Sequence, residues 1–140
     1  MSALAPIGRV LFALIFIFSL PSLLGHDAAV HAAHAGVPAA HVVVPIAGVL
    51  ACIGGLSIAL GFHARIGALL IAIFLIPVTL FMHRFWGLGD LQMAHAQQVN
   101  FLKNLGLLGA AIYIIFAGAG PYSFDARAGR DGALQAPGHW

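Results

Sequence analysis

Along this chain the apolar residues gather into four long runs, and the polar and glycine residues collect in the breaks between them. The runs extend from Ile7 to Leu24, Val42 to Phe62, Ile66 to Phe85 and Phe101 to Ala117. Each approaches the roughly 20 residues that a helix needs to cross the hydrocarbon of a bilayer. The breaks are Gly25-His26-Asp27, Gly61 to Arg65, and Gly87-Leu88-Gly89-Asp90, all rich in the residues that interrupt helices. This pattern predicts an all-α integral membrane four-helix bundle over residues 1–125, with helices at 7–24, 42–62, 66–85 and 101–117, followed by a short polar tail at 126–140. The first run also has the form of a secretory signal, with Arg9 ahead of an apolar stretch and Ala33-His34-Ala35 as a small-x-small site. It is read as a span because the three later spans need a first partner.

Composition removes the soluble alternative. Of 140 residues, 61% are hydrophobic and 7% charged, against about 25% charged in soluble domains, and the mean hydropathy is +1.01. So few charges cannot cover a water-exposed surface. The net charge of +2 comes from isolated Lys and Arg residues, with no cluster to neutralise a run of phosphates, so nucleic acid is not a partner. Cys52 is the lone cysteine, which excludes an internal disulfide and a CxxC redox pair.

Basic residues near the span ends set the expected orientation. Arg9, Arg65, Arg127 and Arg130 fall on one side, Arg84 and Lys103 on the other. The positive-inside rule then makes both termini cytoplasmic, with Tyr122 and Trp86 as aromatic anchors at opposite interfaces.

Small residues predict close helix contacts. Ala47, Ala51, Gly55 and Ala59 recur every fourth position of the second span, and Gly106 and Ala110 do so in the fourth. Such stripes let backbones approach. Pro45 near the start of its span replaces an amide without a helical partner. Pro77 lies inside the third span and frees a carbonyl that Thr79 could satisfy. Asn104 is expected first to hydrogen-bond across the bundle.

The candidate chemistry is concentrated on one side. With this orientation His26, His31, His34, His41, His83 and His95 lie at the non-cytoplasmic face, and His63 and His139 at the other. Helical spacing would align Asp27, His31 and His34, residue types that hold Zn²⁺ or Cu²⁺. Met82, His83, Met93 and His95 would offer softer ligands around the next loop. The competing reading of this Ala- and His-rich segment is a solvated linker. His83 ends an apolar helix beside Arg84, Phe85 and Trp86. It is either held for a partner or part of an interface anchor in which Arg84 reaches lipid phosphate. Arg9 and Lys103 are expected to snorkel outward.

Several separated blocks resemble the DoxX family of small bacterial and archaeal membrane proteins. They are Gly8-Arg9, Gly54-Gly55, Gly61-Phe62 and Arg65, then Thr79, His83, Phe85 and Trp86 in a T-x-x-x-H-x-F-W arrangement. Phe101-Leu102-Lys103-Asn104 and Gly120-Pro121-Tyr122-Ser123-Phe124-Asp125 complete the set. The resemblance implies a four-helix inner-membrane protein, in a family some of whose members are linked to sulfur oxidation, quinone reduction and oxidative-stress complexes. Many relatives place a Lys near the end of the first helix and a Glu in the second, where this chain has Pro21-Ser22-Leu23 and Leu50-Ala51-Cys52. Joint loss of an intramembrane pair strands no charge.

The leading expectation is a multi-pass inner-membrane protein, not an enzyme on its own, that serves as a non-catalytic accessory subunit of a membrane oxidoreductase or respiratory-type complex. It would contact the lipid bilayer and neighbouring membrane proteins. The alternatives are a quinone held by His83, Lys103 and Asn104, whose polar groups among apolar walls suit such a ligand, and a metal held by Asp27, His31 and His34. Transport is disfavoured, since only Arg9 lies well inside an apolar run.

Overall fold

The computed structural model describes the backbone of residues 4–135 and the side chains of residues 4–129; His139 and the Arg130 side chain lie outside the described residues. Among the described residues six helices follow one another: α1 (Leu4–Leu23), α2 (His26–His34), α3 (Ala40–Leu60), α4 (Ala64–Met82), α5 (Leu91–Ala117) and α6 (Phe124–Gln135). Four of them, α1, α3, α4 and α5, are long and apolar enough to span a membrane, and they run up, down, up, down. The described residues therefore form an all-α membrane bundle in which the start of α1 and the end of α5 share one end. α1 packs on α3, α3 on α4 and α4 on α5, while α2 lies on α3. α1 and α5 make no substantial contact, so the bundle is open along that side.

The expected linkers are helical. The Ala- and His-rich segment folds as α2, with Asp27 in its first turn and His31 and His34 in its last, as the helix dipole favours for an acid and for protonated histidine. Gly36, at φ 91, ends it. α5 starts at Leu91 instead of Phe101 because the Asp90 carboxylate accepts the Met93 amide at 2.9 Å, an N-cap that the apolar run alone does not reveal. Met93 and His95 thus belong to a helix and not a loop. Because α3 begins at Ala40, Pro45 sits past the first turn and removes one internal bond, whereas a start at Val42 would have left it in the first turn at no cost. Residues 126–135, expected as part of the tail, belong to α6.

The small residues of α3 serve two neighbours. Ala51 is fully buried, and a Cβ on Gly55 would lie 3.2 Å from the Ala13 carbonyl oxygen of α1. Gly54 faces α4, where a Cβ would come within 2.7 Å of the Gly67 carbonyl oxygen. Ala47 and Ala59 are half-buried at the margins of the stripe. On α5 the buried small residue is Ala111. Gly106 is exposed, and a Cβ added there would meet no atom within 4 Å. Ala110 is half-buried, so this stripe does not make the expected contact within the chain. The core comprises Phe16, Ala51, Ile58, Ala68, Ile71, Ala72, Leu75 and Ala111. Thr79 Oγ1 donates to the Leu75 carbonyl at 2.6 Å. The carbonyl freed by Pro77 is that of Ile73, four residues back, so Thr79 does not satisfy it.

The end holding the start of α1 and the end of α5 is clasped by the loop after α5. Arg9 does not snorkel: it is 6% exposed, and its guanidinium donates to the carbonyls of Ala119, of Pro121 at 3.2 Å and of Tyr122 at 2.7 Å. The reason is positional. The second turn of α1 meets the non-helical carbonyls after α5, and a planar fork of donors suits several acceptors at once. Asp125 accepts from the His63 and Ala64 amides at 2.7 and 3.0 Å, capping α4 and holding His63 in a left-handed conformation at φ 48 that costs a non-glycine residue energy. Arg65 donates to the Phe116 carbonyl at 3.2 Å. The sequence blocks around Arg9, Gly61, Arg65 and Asp125 thus converge on one structural knot.

Candidate functional site

The remaining blocks converge at the opposite end. α4 finishes at Met82, and His83 is its C-cap. The chain then reverses, and an aromatic trio holds the turn to α5: Phe85 to Trp86 at 5.3 Å, Phe85 to Phe101 at 5.4 Å and Trp86 to Phe101 at 6.0 Å between ring centres. Their near-perpendicular planes match the quadrupole preference of aromatic pairs. This reversal directs the half-buried His83 toward α5, where its Nδ1 lies 2.9 Å from Gln97 Oε1. With Oε1 accepting, Nδ1 carries the proton and the Nε2 of a neutral ring is left as an acceptor.

His83 lines a cleft of about 160 Å³ between α1, α4 and α5, on the open side of the bundle. Its walls include Ile15, Phe16, Phe74, Leu75, Val78 and Leu107, and its polar groups are Ser19, Ser22, His83 and Asn104. The two hydroxyl protons are engaged, Ser19 to the Phe16 carbonyl at 3.0 Å and Ser22 to the Ser19 carbonyl at 2.8 Å. Asn104 makes no side-chain hydrogen bond among the described residues, so the expected bond across the bundle is not formed and its amide faces the cleft. Lys103 is exposed and does not join His83 and Asn104. One residue along a helix turns the side chain by about 100°, which carries Lys103 to the outward side in keeping with its expected snorkelling.

Beyond the His83–Gln97 pair lies a larger cavity of about 330 Å³. α2 contributes His31, His34 and Ala35; α4 contributes Phe81 and Met82; the reversal contributes Arg84, Trp86, Gly87 and Leu88; α5 contributes Met93 and Gln97. Asp27 does not line it. Among the described residues no three His, Cys, Asp or Glu side chains gather as a metal site. Asp27 and His34 stand seven residues apart on one helix, about 10 Å along its axis, too far to meet on one ion. His95 is exposed on α5, away from both cavities.

The site residues not foreseen are Gln97, Ser19 and Ser22. Gln97 precedes Asn104 by seven residues and so shares its helix face, a relation that becomes visible once α5 is known to start at Asp90. The Gly54–Gly67 contact was likewise hidden, because a single glycine pair on two spans is not distinctive.

Comparison with known proteins supports the membrane reading. Over 124 residues the chain is 32% identical to the inner membrane protein YphA of Escherichia coli (strain K12), covering 86% of this chain and 87% of that one. No solved structure matches it. Four spans and this relative place the chain in the bacterial inner membrane as a multi-pass protein. The family model that matches, over residues 2–130, is that of the SURF4 family, and the chain belongs to that family.

Proposed function

We propose that the protein is a non-catalytic membrane subunit that assembles with other membrane proteins through the outward side of α5. The observation that carries this reading is the burial of α5. This helix has 27 residues, of which Ala111 alone is buried. Gly106 and Gly109 have no neighbour within 4 Å of a Cβ position, while Tyr113 and Phe116 are 72% and 79% exposed. In lipid, small residues confer association by letting a second backbone approach, and this shelf is unused within the chain. The finer assignment, to a membrane oxidoreductase or respiratory-type complex, rests on the DoxX-like blocks. Mild detergent extraction of native membranes, size separation and mass spectrometry test it. Fixed-ratio co-migration with redox subunits, lost in Gly106→Leu, is the expected result; migration as a lone chain overturns it.

A second reading is favoured by one specific observation, that His83, with Nε2 as an acceptor, and Asn104, whose amide has no partner among the described residues, line the same apolar-walled cleft. These two groups suit a quinol head, one hydroxyl donating to Nε2 and the other oxygen accepting from the Asn104 amide, with the ring against Phe16 and Phe74. Quinol binding to the purified chain should weaken about tenfold in both His83→Ala and Asn104→Leu. Unchanged binding in both removes this reading.

A further inference from the structure

We propose that the 330 Å³ cavity under α2 is a binding site for the phosphate headgroup of an anionic phospholipid. Every titratable side chain lining it is basic: Arg84, His31 and His34. The acids of the neighbouring elements are directed elsewhere, since Asp90 caps α5 through the Met93 amide and Asp27 is outside the lining. Arg84 has no hydrogen-bond or ion-pair partner among the described residues. A guanidinium without a protein acceptor, beside two imidazoles, is a donor set for a phosphate.

The surroundings identify the source of that phosphate. The cavity opens at the end of α4, where Trp86 marks the headgroup level, and apart from Gln97 its remaining walls are apolar, Phe81, Met82, Leu88 and Met93 among them. A free inorganic ion would gain nothing from those walls, whereas the glycerol and upper acyl carbons of a phospholipid would cover them. Snorkelling of a lone arginine requires no cavity. Here α2, packed on α3, places the exposed His31 and His34 on the wall of the same cavity as the exposed Arg84, so three basic groups share one concave lining. The cavity is separate from the partner surface on α5 and from the cleft below His83.

The test uses the full chain in nanodiscs of phosphatidylcholine containing one-tenth phosphatidylglycerol, released into native mass spectrometry, with inorganic phosphate in a parallel titration. One retained phosphatidylglycerol per chain is expected, with retention falling about tenfold in Arg84→Ala and several-fold in the His31→Gln/His34→Gln double variant. Lys103→Ala, which alters an exposed cation outside the cavity, should leave it unchanged. Equal loss in Arg84→Ala and Lys103→Ala would reduce the effect to general surface charge and overturn the site. Inorganic phosphate binding without phosphatidylglycerol retention would overturn the lipid assignment. Circular dichroism of each variant separates loss of the site from loss of the fold.

Discussion

Replacing Arg9 by alanine should loosen the whole bundle, although the residue sits at its edge. Its guanidinium donates to three backbone carbonyls of the loop after α5, tying the first span to the last stretch of chain across a gap where α1 and α5 do not otherwise pack. A hydrogen bond from a charged donor contributes about 1.5–3 kcal/mol in a soluble protein, and bonds inside membrane proteins average less. Pro121 and Tyr122 are exposed, so water can replace the arginine at their carbonyls. Ala119 is 7% exposed, and its carbonyl bears most of the cost of losing its donor. Together these terms give about 3 kcal/mol, or roughly a hundredfold in the unfolding equilibrium. Arg9→Lys keeps the charge but not the fork, and should lose about half as much. Cys52, the lone thiol, is half-buried in α3, so its labelling rate during a titration with sodium dodecyl sulfate reads bundle opening without an added probe. The exposed Lys103→Ala serves as control. A stability of Arg9→Ala within about 0.5 kcal/mol of that control would refute the clasp.

Other expectations follow from the same geometry. Asp125→Ala removes the acceptor of two α4 amides and should cost about 1–2 kcal/mol, as lost N-caps do, in the same Cys52 assay. Gly67→Ala places a Cβ 2.6 Å from Ser57 Oγ and 2.8 Å from the Gly54 carbonyl oxygen. The α3–α4 contact must therefore widen, at a cost of about 1–3 kcal/mol. Gly106→Ala, which meets nothing, should instead stabilise the isolated chain by up to about 1 kcal/mol through helix propensity. Gln97→Leu removes the partner of His83 Nδ1. It should shift the His83 imidazole nitrogen resonances in ¹⁵N NMR as the tautomer preference is lost, whereas His95 should not move.

The membrane spans were legible because bilayer insertion depends on summed hydropathy over a window, a property of the segment itself. The facing of each residue was not legible. A helix that is apolar all round has no hydrophobic stripe to mark its inner side, and in lipid a leucine is as well placed outside as inside. Hence Ala51 and Gly55 were foreseen in the interior, but Gly54 against Gly67, and Ala111 in place of Gly106, were decided by the packing. The same holds for polar groups. Snorkelling was the reasonable expectation for both Arg9 and Lys103, and only the position of the loop carbonyls, more than a hundred residues away in sequence, turned Arg9 inward while leaving Lys103 outside.

At the candidate site, the sequence by itself placed His83, Trp86 and Asn104 toward one interface, since span order and length put them there. Tertiary structure alone decided that His83 turns to Gln97, that Asn104 is left without a side-chain partner among the described residues, and that His31 and His34 of α2 line the same cavity as Arg84. Those outcomes depend on where α5 begins and on how far α1 stands from it. Such distances are set by contacts between helices and not by the hydropathy of any one of them.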